Sequence, residues 1–311
     1  MTQKFIRCLA HSAFIACAVM LMSAAAFAQY PAGSSSIGDM KPGSVLFYSR
    51  YSSNPANPAM GDTQINITNV NQSVGGNVHL FMVDGATCSI ADSFIGLTPN
   101  QTASFLVSDF DPGITGYIVA VATGGGGPTQ FNSLIGSEFI RETNGLTAYL
   151  QAITVAKRSP GDVIPDGEGQ MVLNFNGVDY EQLPSSLAVA TFNSQSVDTN
   201  YLSIFSPSNN LTIGGAVSTS VFTLLYNDTE VAISSSFTVN CYRYETFVSL
   251  FNRGGGINRH VPSGRTGWIR MTSSSRPILG AVFGRGPVFT GGHNLHALQL
   301  LSSYSIIVPY F

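Results

Sequence analysis

DSFIGLTPNQTASFLVSDFDPGITGYIVAVA, residues Asp92–Ala122, reads as three β-strands in a row. Ser93–Leu97 and Thr102–Val107 meet across Pro99-Asn100, a pair whose backbone preferences suit a turn. Thr115–Ala122 follows the loop Asp109-Phe110-Asp111-Pro112-Gly113. From Tyr117 onward it is apolar throughout, the pattern of a central strand packed on both faces. A degraded copy of the stretch recurs about 143 residues later, and self-similarity of this kind decides a fold before any local propensity does.

Short apolar runs continue on either side at even spacing: Val45–Tyr48, Gln64–Val70, Val78–Val83, Ser133–Ile140 and Leu146–Ala156. Turn clusters separate them, at Asn54-Pro55, Gly75-Gly76, Asp84-Gly85, Gly124–Gly127 and Asn144-Gly145. Gln64–Thr68 alternates apolar and polar, as a strand with one wet face does. No window has a helical period with caps at both ends. Short strands at this spacing indicate an all-β fold. From Leu187 the plan repeats. Leu187–Phe192 answers Val45–Tyr48, Tyr201–Phe205 answers Gln64–Thr68, and Phe222–Tyr226 answers Leu80–Val83. Thr266-Gly267-Trp268-Ile269 answers Thr115-Gly116-Tyr117-Ile118 most closely. Loops gain and lose residues between copies while strands do not.

The expectation is therefore two tandem antiparallel β-sandwich domains from an internal duplication, at residues 44–156 and 184–311. Residues 157–183, polar and rich in Pro and Gly, read as a connector with an extra hairpin at Met171–Phe175 and NGVDY. Residues 29–43 read as a flexible leader. The architecture resembles the immunoglobulin-like modules of secreted bacterial proteins, many of uncharacterised function. The resemblance covers most of the chain after residue 28. It is architectural, because the paired cysteines and core tryptophan of antibody domains are missing from the first copy.

Residues 1–28 have the form of a cleaved signal peptide. Lys4 and Arg7 precede the apolar run Phe14–Met22, and Ala26-Phe27-Ala28 offers a small-residue cleavage site. The protein is expected to be exported, to the periplasm, the cell surface or the outside, with no transmembrane segment in the mature chain. Only Cys88 and Cys241 then remain; they are candidates for one bridge, with free buried thiols the alternative.

Chemistry is hard to find in the sequence. No G-x-S-x-G is present, and Asp62-Thr63 and Asp198-Thr199 lack the glycine an aspartic dyad would carry. His293 and His296 would point to opposite faces of a strand. Gly124–Gly127 and Gly254–Gly256 precede no Lys-Ser/Thr and no helix able to hold a phosphate. The leading expectation is a non-catalytic binding or structural protein with no cofactor and no metal. A glycan-directed hydrolase using two carboxylates is the alternative, and an outer-membrane barrel ranks third.

Charge supplies the one asymmetry. Residues 29–230 hold sixteen Asp/Glu and five Lys/Arg, whereas residues 246–311 hold six Arg and no acid. It concentrates in the loop before the Thr-Gly-aromatic strand, which is acidic in the first copy (Asp109, Asp111). In the second it is long and basic, with Arg253, Arg259, His260 and Arg265 leading to Trp268 and Arg270. Arginine forks bind carboxylates and phosphates. These residues are the candidate binding face, for an anionic surface polysaccharide or for the acidic loop of another copy. Nucleic acid is not an expected partner.

Overall fold

The computed structural model describes residues 37–310 except 168, 196–197, 253–255 and 288–289. Residues 1–28, which the sequence reads as a signal peptide, lie outside them, as do residues 29–36 of the expected leader and Arg253. The fold is all-β, with 55% of residues in strands and 6% in helices.

The first half contains two sheets. One has the order β10-β1-β6-β3-β4, made of Ile153–Val155, Val45–Ser52, Thr115–Gly124, Gly76–Asp84 and Ile90–Leu97, with the short β7 (Gly127–Pro128) attached to β6. The other has the order β5-β2-β8-β9, made of Thr102–Leu106, Thr63–Asn69, Leu134–Arg141 and Thr147–Gln151. The second half repeats both. Its larger sheet is β20-β12-β17-β14-β15, made of His296–Leu300, Pro184–Asn193, Thr266–Ser273, Ser218–Asn227 and Ala232–Asn240. Its smaller sheet is β16-β13-β18-β19, made of Tyr242–Thr246, Thr199–Phe205, Leu279–Arg285 and Thr290–Asn294. Strand for strand, the order is the same. Each pair of sheets closes over its own apolar core: Leu46, Ile65, Leu80 and Ile118 in the first half, Leu187, Leu202, Leu225 and Ile269 in the second.

The strand order corrects the immunoglobulin expectation. There the first strand lies beside the second, in the sheet opposite the C–F pair. Here β1 lies beside β6, in the same sheet as β3. The four large sheets form a four-bladed, propeller-like ring, although no blade is built from consecutive strands.

Both halves share one backbone irregularity. In β1, Ser49 and Arg50 together oppose the single residue Tyr117, between the pairs Tyr48–Ile118 and Tyr51–Gly116. In β12, Ala190 and Thr191 oppose Trp268, between Val189–Ile269 and Phe192–Gly267. This is a β-bulge, which bends a strand and re-aims its side chains. The Thr-Gly-aromatic motif is its partner strand. A Cβ on Gly116 would stand 1.8 Å from the Val83 carbonyl oxygen, and one on Gly267 would stand 2.7 Å from that of Tyr226. A second matched pair closes each half. The crossover residues Ala152 and Leu295 donate to the carbonyls of Gly136 and Gly280, at 2.9 Å in both copies.

Residues 157–183 are not a linker. Met171–Asn174 (β11) pairs antiparallel with Ser305–Val308 (β21), so the end of the chain returns to the middle. Met171, Leu173, Phe175, Tyr180, Leu183, Ile306 and Val308 are buried against Phe47, Phe81, Tyr117 and Val119 of the first half. The described part of the leader is docked too: Ile37 is buried, Gly38 bridges to Thr154, Gly43 bridges to Leu134, and Lys41 pairs with Glu181. The run Leu146–Ala156 is two strands in different sheets, divided at Ala152.

Cys88 and Cys241 form a disulfide, with Cα atoms 5.9 Å apart across 153 residues of sequence. It ties the β3–β4 turn of the first half to the β15–β16 corner of the second. Reducing it, or replacing both cysteines by serine, is expected to lower unfolding free energy by about 2–4 kcal/mol, because the unfolded chain regains a long loop. Urea denaturation with and without reductant measures this, and an unchanged midpoint would contradict it. Gly116→Ala is expected to cost about 1–3 kcal/mol or more by forcing backbone apart. Gly267→Ala should cost less, since its added carbon has more room.

Candidate functional site

The outward face of β3 and β6 in the first half carries Phe81, Val83, Tyr117, Val119 and Val121, all buried. The two-stranded β11–β21 sheet and the second half cover it. Tyr117 stacks on Phe205 at 4.2 Å, and its hydroxyl accepts from the Ser208 N–H at 2.9 Å. Among the described residues, the equivalent face in the second half has no such cover. Its cross-strand pairs are Phe222 with Thr272, Leu224 with Arg270, and Tyr226 with Trp268.

Trp268 occupies the position of Tyr117. It lies flat on Tyr226, with centroids 4.4 Å apart and planes 6° from parallel, and remains 38% exposed. Phe222, on the same face of β14 as Tyr226, is 47% exposed. Arg270, where the first copy has Val119, lies half-buried beside Ala188 and Leu224. The core side of the same strands buries Ile269, Met271, Val221 and Leu225, with Thr223 and the hydrogen-bonded Thr219–Ser273 pair alongside them. An open sheet face bearing aromatic rings and an arginine results. Rings of this kind offer large flat apolar surface with little entropy to lose, and the guanidinium adds a planar fork for a carboxylate.

Of the residues singled out in the sequence, the structure brings Trp268 and Arg270 together on this face. Arg265 is exposed at the end of β17 and is paired with Asp228, 3.3 Å away. His260 has its Nε2 3.1 Å from the Leu225 carbonyl, while its own carbonyl accepts from Asn227. Arg259 is exposed on the one-turn helix Gly256–His260, and Arg253 lies outside the described residues. The long loop also completes the packing of the second half, because Phe247, Leu250, Phe251, Ile257 and Val261 fill the end of its core.

The acidic loop of the first half is likewise engaged. Asp109 accepts from the Leu106 N–H at 3.2 Å and closes the turn Val107–Asp109. Asp111 accepts from the Tyr51 hydroxyl at 2.6 Å, and burial raises its pKa despite that bond. Asp111 and Arg265, one charge from each loop, are thus both held within the chain.

No protein-family model, curated protein or solved structure matches the chain. Among the described residues no three His, Cys, Asp or Glu are grouped to hold a metal ion, and no helix is long and apolar enough to cross a membrane.

One buried polar cluster was not foreseen from the sequence. At the β1 bulge the Arg50 guanidinium donates to Glu142 and to the Tyr242 hydroxyl, each at 2.6 Å, and lies 3.5 Å over the Tyr244 ring. Burial opposes its charge, but the surrounding Tyr242, Glu142 and Tyr244 oxygens raise its pKa above the ordinary value. Ser203 links Tyr242 to the Ser49 carbonyl, at 3.2 and 2.8 Å. These contacts join the two halves. The signal was available: Arg50 and Glu138 are charges inside otherwise apolar strands.

Glu138 accepts from the Ser49 and Arg50 amides at 3.2 and 3.5 Å, and burial pushes its carboxyl from 4.5 up to about 8. Between these values the folded protein keeps a proton that the unfolded chain has lost. Stability should thus be highest at acid pH and fall as pH rises towards 8, by at most about 1.4 kcal/mol per unit from this group. Glu138→Gln should flatten that slope in urea titrations between pH 5 and 8; a slope unaltered by the substitution would remove Glu138 as its source.

Proposed function

We propose that the protein is an exported, non-catalytic binding protein whose open β14–β17 face holds an anionic saccharide polymer. The observation that carries this reading is the contrast between copies. The same face is sealed by protein in the first half, whereas in the second it carries Phe222, Tyr226 and Trp268, gains an arginine and stays open among the described residues. Exposed apolar surface of this kind marks interaction sites in soluble proteins. Sugar rings can lie on Trp268 and Phe222 while acidic substituents meet Arg270. Export is supported by the form of residues 1–28 and by a structural disulfide, a bond typical of oxidising compartments. Each half is, in this reading, a sandwich-like module, and the first serves as the support on which the second displays its face.

Retention on an immobilised polyuronate, eluted with salt, tests the proposal. Trp268→Ala and Arg270→Ala should each weaken binding by about tenfold, equivalent to about 1.4 kcal/mol. Added salt should weaken the wild type more than the arginine variant. Tyr149→Ala, an exposed aromatic on the other half, should bind as the wild type does. Equal retention of the wild type and Trp268→Ala would overturn the assignment.

A further inference from the structure

Sheet edges expose unpaired backbone groups, and proteins usually close or charge them. Most edges here are treated in that way. β10 is flanked by the segment at Gly38, and β9 lies against β19 through Thr147–Thr290 and Gln151–Asn294 contacts. β16 carries Arg243 and Glu245, and β4 carries Asp92. β5 and β20 are five residues each. β15 is the exception: nine residues, Ala-Ile-Ser-Ser-Ser-Phe-Thr-Val-Asn, with no charge and no proline.

Its hydrogen-bond phase follows from the hairpin. The Asn227 N–H donates to the Val231 carbonyl, so Ile233, Ser235, Phe237 and Val239 bond to β14. The backbone groups of Ala232, Ser234, Ser236 and Thr238 then turn outward. The Thr238 carbonyl is already taken by the Arg243 guanidinium at 2.9 Å, which agrees with this phase. Ala232 to Ser236 remains open.

We propose that β15 is a dimerisation edge, pairing antiparallel with β15 of a second copy about a two-fold axis at Ser234. Ser234 then faces its own equivalent and Ala232 faces Ser236, so small side chains meet and no like charges oppose one another. The same register sets Thr238, with Arg243 on its carbonyl, opposite the exposed Glu230 of the partner subunit, an attraction at each end. A second copy fits because the edge is complementary to itself, and an isologous contact closes at two subunits. The two five-stranded sheets become one, and the Trp268 faces of both copies lie on its same side. The pairing does not depend on what that face binds.

Sedimentation equilibrium of the purified protein tests the pairing. The wild type should show a monomer–dimer equilibrium. Ser234→Pro removes an outward N–H and no bond to β14, so it should remain folded by circular dichroism and sediment as a monomer. Ser236→Lys, which charges the edge, should raise the dissociation constant at least about tenfold even where the proline variant fails to fold. A monomeric wild type would overturn the proposal, as would a dimer whose dissociation constant Ser236→Lys leaves unchanged.

Discussion

The bulge opposite the Thr-Gly-aromatic motif is the constraint on which the arrangement rests. Two residues of β1 must pass one residue of β6, and only glycine lets the strands come close enough beside them. The bend turns the Ser49 and Arg50 amides towards the Glu138 carboxyl and sends the Arg50 side chain into the second half. A local backbone irregularity thereby becomes the polar centre of the contact between halves. In the second copy the residues of the same bulge, Ala190 and Thr191, are exposed.

The two halves have large sheets of the same strand order, and the chain disposes of their outer faces differently. The first is covered by the two-stranded β11–β21 sheet, built from a segment between the halves and from residues 305–308, and forms a second core. Its apolar strand β6 is buried on both sides. The corresponding strand β17 alternates instead, with Ile269 and Met271 inside and Trp268 and Arg270 outside. Burying Arg270 under a similar cover would strand its charge, so the composition of the strand and its exposure agree.

The acidic and basic loops show why charge counts misdirect. Asp111 and Arg265 stood out in the sequence as loop charges, yet each is held by a neighbour, Tyr51 and Asp228. The basic loop plugs a core with five apolar side chains, and its arginines are incidental to that packing. Trp268 and Arg270 matter for a different reason: strand alternation puts them on one face with Tyr226, a residue with no charge or motif to draw attention to it.

Periodicity and self-similarity made the strands, the duplication and the matched Thr-Gly-aromatic positions legible, because they are properties of adjacent residues and of the spacing between copies. The unbroken apolar run of β6 likewise announced a strand buried on both faces. What covers each face, which strand pairs with β11, and whether Cys88 reaches Cys241 depend on residues more than a hundred positions apart. Such contacts are chosen by packing the whole chain, and no local pattern encodes them. The stretch from Asp92 to Ala122 thus specified three strands by itself; only the tertiary structure decided that β6 would face a bulge, that its outer face would be buried and that of its copy left open.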